Sequence, residues 1–270
     1  MYPKQPYLQP EDISGLVDTH CHLDLGPLAA SLPVVLASAR QAGVTRFVVP
    51  GVHPANWERM YVIAQEHAGI FPAFGIHPMH ADLADDHAMS RLGEIAGRGI
   101  AIGEIGLDPF YPVPLETQER AFRKQLRLAV SLGLPVIIHC RRAFQRTLQI
   151  LREENAQQVK GIMHAFSGSI EMAREFIRLG FLISISGTVT WDNAVRPVQL
   201  ARQLPLECLV LETDAPDLSP QAFREQPNQP AYLVEVQRAV AQLRGIQPVD
   251  LLMQTTRNAE LLFHDHCHRN

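Results

Sequence analysis

Short apolar runs rich in β-branched residues, amphipathic stretches between them, and a length of 270 residues with 46% apolar content predict an α/β chain, a single (β/α)8 TIM barrel with closing C-terminal helices. Alternation of this kind marks parallel βαβ units, in which a crossover helix returns the chain to the same edge of the sheet. The whole of residues 1–270 reads as one domain of this type, with an N-terminal extension over 1–14 and a C-terminal tail over 264–270.

Eight runs supply the strands: residues 15–20, 46–51, 72–77, 100–105, 135–139, 161–164, 181–186 and 209–214. The clearest crossover helix is 118–132, where Phe122, Leu126, Ala129 and Val130 fall at helical spacing and charged residues take the other face. Glycine borders the runs at 43, 69, 99, 133, 161 and 180, as expected where a helix ends and the chain turns into a strand. Residues 214–230, rich in proline and polar groups, read as one long loop, and 231–263 as the closing helices. The tail HDHCHRN reads as a solvated chain end rather than a metal site.

The formal charge of -4, from 24 Lys+Arg and 28 Asp+Glu, excludes a surface built to coat nucleic acid by charge alone. Cys21, Cys140, Cys208 and Cys267 are scattered with no Cys-x-x-Cys pair, so neither a disulfide framework nor a thiolate zinc site is expected. The opening stretch MYPKQPYLQPEDISG lacks an apolar signal region, and no segment reaches the ~18 apolar residues of a membrane span. We expect a cytoplasmic protein without membrane attachment or an obligate protein partner.

Residues 17–22 read Val-Asp-Thr-His-Cys-His, and the period of two in a strand puts His20 and His22 on one face with Cys21 turned away. Glu104, His139, His164 and Asp214 likewise follow apolar residues at the ends of their runs. Active sites of this barrel sit at the C-terminal ends of the strands. One such group is explained by buried hydrogen bonds, but six at one rim point to metal. Four histidines and two carboxylates exceed the needs of one tetrahedral zinc, and a carboxylate between two histidine groups can bridge ions. We therefore expect two divalent ions, about 3.5–4 Å apart, that lower the pKa of a held water towards ~7. Zinc is the first choice, and manganese, magnesium or cobalt also suit these ligands.

The stretches DTHCHLD, GIHP, AIGEIGLD, PVIIHCRR, HAFSGS and ETDAP, spread in this order over residues 18–216, resemble the TatD family of metal-dependent hydrolases within the amidohydrolase-like barrels. FSGS and ETDAPD resemble its YjjV-type branch. The resemblance implies that His20 and His22 hold the first ion, that Glu104 bridges, and that His139 and His164 hold the second. It gives Asp214 the first ion and the task of positioning or deprotonating the water, so that Asp214 and Glu104 are the catalytic carboxylates. It also implies phosphodiester hydrolysis, of DNA ends, oligonucleotides or a small phosphodiester. Glu104 stands where many related amidohydrolases use a carboxylated lysine, which weakens a dihydroorotase-like reading. The chain departs from the family in its last loop: in place of Arg-Asn-x-Pro it has Gln226-Pro227-Asn228-Gln229-Pro230, without the arginine.

Substrate contacts are expected from Arg141 and Arg142, whose guanidinium groups suit bidentate grip on phosphate, and from His77 as a donor to a phosphate or leaving group. Solvated or paired arginines and a loop-packing histidine are the plain alternatives. Glu212, two residues before Asp214, should face the same side and orient a ligand histidine. Ser167 and Gly168 offer donors near His164 or form a simple turn. Asp18 and Asp108 read as structural or supporting groups, and His53, His67, His80 and His87 as surface histidines. Two other functions fit the same residues: ester or amide hydrolysis, such as removal of a D-aminoacyl group from tRNA, and a non-enzymatic metal-binding scaffold, which would need no open coordination position.

Overall fold

The computed structural model describes residues 15–264, so the extension 1–14 and the tail beyond 264 lie outside the described residues. All eight expected strands are present: β1 (Leu16–Asp18), β2 (Val44–Pro50), β3 (Ile70–Phe74), β4 (Ala101–Leu107), β5 (Val136–Cys140), β6 (Gly161–Met163), β7 (Phe181–Ile185) and β8 (Leu209–Leu211). They form one sheet in chain order, β1 to β8, with parallel pairing. The helices are α1 (Gly26–Ala30), α2 (Leu32–Gln41), α3 (Trp57–Glu66), α4 (Asp86–Ala96), α5 (Leu115–Leu132), α6 (Phe144–Glu153), α7 (Ile170–Arg178), α8 (Arg196–Gln203), α9 (Leu233–Arg244) and α10 (Pro248–His264). No helix among the described residues is long and apolar enough to cross a membrane.

The described residues divide into two compact units, a first of 50–162 with 260–264 and a second of 15–49 with 163–259. In the second, β1 and β8 run side by side: the Thr19 N–H donates to the Leu211 carbonyl at 3.1 Å and the Asp214 N–H to that of His20 at 2.9 Å. With the strand order, this pairing is that of a (β/α)8 barrel. All seven residues of β4 are buried, as a parallel strand covered on both faces requires.

In the first unit, α5 packs on β4 through Ala121, Phe122, Leu126 and Ala129, all buried, with Val130 half-buried at the edge of the stripe. The helix begins at Leu115, three residues before the expected start, because its first turn carries no apolar stripe to betray it. Gly133, at φ +65°, ends it in the left-handed conformation that side chains disfavour. Two glutamines interrupt the buried stripe. Gln118 accepts from the Asp108 N–H at 2.8 Å and donates to the carbonyls of Asp108 and Val113 at 2.9 Å each. Gln125 accepts from the Ile76 N–H at 2.7 Å and donates to the Ile76 carbonyl at 3.1 Å. A helix face built for packing thus also fixes two loop backbones.

In the second unit, the loop after β8 is more ordered than expected, with short 3-10 turns at Gln221–Phe223 and Pro230–Tyr232. Asn228, fully buried, donates to the Thr213 and Asp217 carbonyls at 2.8 and 2.7 Å and so ties the loop to its strand. The closing helices are α9 and α10; Asn258 of α10 donates to the carbonyls of Leu206 and Leu209.

Candidate metal centres

The second unit gathers four of the six expected ligands. His20 and His22 stand just beyond β1 rather than within it, yet the alternation of the strand continues. The Cys21 N–H donates to the Val48 carbonyl and Cys21 bridges Ala215, so the chain stays extended and Cys21 faces away. The Nε2 atoms of His20 and His22 lie 3.3 Å apart. Asp214, three residues past β8, holds its Oδ1 3.7 Å from the Nε2 of each of His20, His22 and His164. Its backbone is left-handed at φ +60°, a conformation that costs a non-glycine residue on the order of 1 kcal/mol.

His164, one residue past β6, stacks on the His20 ring at 3.6 Å between centroids. Its Nδ1 lies 3.0 Å from Glu212 Oε1, which also accepts from the Ala165 N–H at 2.7 Å. Burial alone would raise the Glu212 carboxyl, but the charge and hydrogen bond of His164, with His20 and Ser184, hold it below its ordinary range. An ionised Glu212 keeps the His164 proton on Nδ1 and leaves the Nε2 lone pair for a cation. Behind His20, Asp18 accepts from the Thr213 N–H and hydroxyl at 2.9 and 2.6 Å, and burial pushes its carboxyl up to about 7.

The first unit gathers the other two ligands and His77. Glu104 falls where the β4–β5 register slips between Gly103 and Ile105, a bulge that re-aims one side chain without turning its neighbours. β4 runs on to Leu107, so Glu104 lies inside the strand rather than at its end. Glu104 Oε1 sits 2.8 Å from His139 Nδ1 and 3.6 Å from His77 Nε2. The other His139 nitrogen, Nε2, is 3.0 Å from Asp108 Oδ2. Burial opposes ionisation of Asp108, but His139, the Phe110 N–H and Arg141 outweigh it and hold the carboxyl below its ordinary range. A carboxylate thus faces each nitrogen of His139, and a cation between Nδ1 and Glu104 would leave the ring proton on Nε2, against Asp108. Gly106, at φ +149°, permits the approach of the strands here; a Cβ on it would stand 1.9 Å from the His139 carbonyl oxygen.

His77 differs from the ligand histidines. Its Nδ1 accepts from the Met79 N–H at 3.2 Å, so in the neutral ring the proton is on Nε2, facing Glu104. It presents a donor there, not a lone pair. Arg141 and Arg142 are exposed, with their guanidinium carbons 4.3 and 5.4 Å from the centre of the Phe110 ring. Ser167 is exposed and its carbonyl accepts from Arg196, while Gly168 packs under Phe166. His87 is exposed; His53, His67 and His80 are part-buried, and the rings of His53 and His80 meet edge to face.

Three groupings in the two units thus have donor atoms close enough to share an ion: His20, His22 and Asp214; His20, His164 and Glu212; His77, Glu104 and His139. Imidazole and carboxylate donors in these numbers fit a divalent ion of the zinc or manganese type. Sequence reasoning missed the partnership of Asp108 with His139 and the anchoring by Gln118 and Gln125. The signal for the glutamines was present, as amides at positions of the helix that the apolar stripe should fill.

The family model described as TatD related DNase matches residues 17–264. The metal-dependent hydrolase YabD of Bacillus subtilis is 36% identical over 251 residues, covering 92% of this chain and 98% of its own. The metal-dependent hydrolase YjjV of Escherichia coli K12 is 35% identical over 251 residues, covering 91% and 96%. The crystal structure of Escherichia coli YjjV superposes with a TM-score of 0.88 at 33% identity, covering 93% of this chain and 99% of that one.

Proposed function

This chain belongs to the TatD family of metal-dependent hydrolases, and from that premise we propose that it is a phosphodiesterase acting on DNA ends or oligonucleotides, with one divalent ion in each histidine cluster. The observation that carries this reading is that each cluster contains a histidine with a buried carboxylate behind one ring nitrogen and a second carboxylate before the other. A packing histidine needs only one partner; this arrangement fixes a tautomer and leaves a lone pair aimed at a carboxylate oxygen, as a cation site requires. The family's description as a DNase supports a phosphodiester as substrate.

In this proposal His20, His22, His164 and Asp214 hold one ion, and Glu104 and His139 the other, with zinc first among the metals that suit them; His164 is grouped with Asp214, 3.7 Å away, instead of with His139 around a bridging Glu104 as the resemblance implies. When bound, such ions supply Lewis acidity towards a phosphoryl oxygen and lower the pKa of a water towards ~7. Asp214, whose Oδ1 is equidistant from three imidazole nitrogens, accepts the proton of the attacking water. Asp108, accepting the His139 Nε2 proton, would leave the Nδ1 lone pair turned towards the ion held with Glu104. His77 directs its Nε2 proton to a phosphate or leaving oxygen. Arg141 and Arg142 grip a neighbouring phosphate. A reducing compartment such as the cytoplasm suits the free thiols of Cys21 and Cys140.

The test is hydrolysis by protein loaded in turn with zinc, manganese and magnesium. Single-stranded DNA, a simple phosphodiester and a D-aminoacyl ester are the substrates, with Glu104→Ala and Asp214→Asn as controls. Cleavage of the two phosphodiesters by the parent alone is expected. Cleavage of the aminoacyl ester alone transfers the assignment to ester hydrolysis, and three intact substrates end the hydrolytic reading. Metal analysis should find two ions per chain; fewer than one after reloading would remove the two-ion claim.

A further inference from the structure

We propose that Phe110, with Arg141 and Arg142, forms a subsite that stacks a base of single-stranded nucleic acid on the aromatic ring and holds an adjacent phosphate, an inference that rests on the phosphodiesterase reading above. Phe110 lies in the turn between β4 and α5 with 55% of its surface exposed. Single exposed apolar side chains are common on proteins, so exposure alone says little. What sets Phe110 apart is how firmly its turn is held. Its N–H donates to Asp108 Oδ1 at 2.9 Å, and the other oxygen of that carboxylate faces His139. Gln118 clamps both ends of the turn, at Asp108 and at Val113. The ring of the next residue, Tyr111, meets that of His77 at 5.4 Å. The turn is therefore built into the Glu104 cluster and presents its aromatic ring outward in a fixed place.

The two arginines complete the chemistry. Both immediately follow β5, which carries His139, and the Arg141 N–H is tied to the Leu107 carbonyl at 3.1 Å. Their guanidinium groups lie against Phe110, yet more than half of that residue remains open. Arg142 adopts φ +54°, a left-handed conformation uncommon outside glycine. An aromatic face with flanking guanidinium groups is the pairing that single strands use, bases stacking on the ring and phosphates meeting the cations. The chain is net acidic, so such a local site is how it would engage a polyanion.

The experiment measures binding of a fluorescein-labelled phosphorothioate oligothymidylate, which resists cleavage, to the zinc-loaded protein by anisotropy. Phe110→Ala should weaken binding on the order of tenfold, Phe110→Trp should retain the parent affinity, and Phe110→Leu, apolar but without a π face, should behave as the alanine variant. The slope of log K against log salt should flatten by about 0.7 in Arg141→Ala/Arg142→Ala, for the one phosphate the two arginines hold. Equal binding by parent and Phe110→Ala, or full affinity in Phe110→Leu, overturns the subsite. A parent that shows Phe110-dependent binding but cleaves no phosphodiester overturns the nuclease reading and supports the subsite.

Discussion

In the second unit His164 has Glu212 beside Nδ1 and turns Nε2 towards Asp214; in the first, His139 has Glu104 beside Nδ1 and Asp108 beside Nε2. The rings are turned in opposite senses, and on the proposed function the carboxylate behind each would decide which nitrogen meets the ion. The clusters also differ in richness. Around Asp214 three imidazole nitrogens converge, whereas beside Glu104 only His139 offers a lone pair and His77 offers a proton. The difference teaches that a cluster poor in protein donors leaves room for substrate. The groups suited to touch substrate, namely His77, Phe110, Arg141 and Arg142, all belong to that first unit.

Removing a ligand should have the largest effect. His22→Ala and Glu104→Ala should each lower kcat on the order of a thousandfold, about 4 kcal/mol of lost transition-state stabilisation, and each should reduce the metal content from two ions to one. Steady-state kinetics with metal analysis checks both, and an unchanged ion count in either variant would break the comparison at its root. Next come the supporting carboxylates. Glu212→Gln and Asp108→Asn should each weaken the binding of one ion by about 10–100-fold, the Asp108 variant affecting the ion of the donor-poor cluster. Chelator competition distinguishes them; loosening of the same ion by both variants would show that the clusters are not separate sites.

Gly106→Ala should destabilise the protein by about 1–3 kcal/mol in urea unfolding, because the added methyl meets the His139 carbonyl and the residue is held at positive φ. A stable variant that still binds two ions would show that β4 can yield at that point. The smallest effect lies outside both clusters, in the ion pair of Arg146 with Glu119, whose carboxyl is held below its ordinary value by the Arg146 hydrogen bond. A depressed acid adds stability above its unfolded pKa, which is lost as pH falls through the folded one. Glu119→Gln should therefore lower stability slightly near neutral pH, the pair being partly solvated, and the difference should vanish as pH falls below the ordinary glutamate range.

The eight strands were legible because parallel strands buried on both faces appear as uninterrupted apolar runs, and the gathering of His20, His22, His164 and Asp214 was legible because each stands just past such a run. Glu212 was also legible, since its spacing of two from Asp214 shares a face. The partner of Asp108 was not: Asp108 follows β4, and no sequence period links it to His139 on another strand. Neither were the start of α5, whose first turn is polar, nor the bulge at Glu104, which depends on the register of a neighbouring strand.

The discontinuity of the second unit sets an order on assembly. The donors of the Glu104 cluster come from residues 77–139 of one continuous stretch, whereas those around Asp214 span His20 to Asp214. During synthesis from the N-terminus, at about 5–20 residues per second, the Glu104 donors are all in place seconds before the last donor of the other cluster is made. A nascent chain stalled between them carries the Glu104 donors without Asp214.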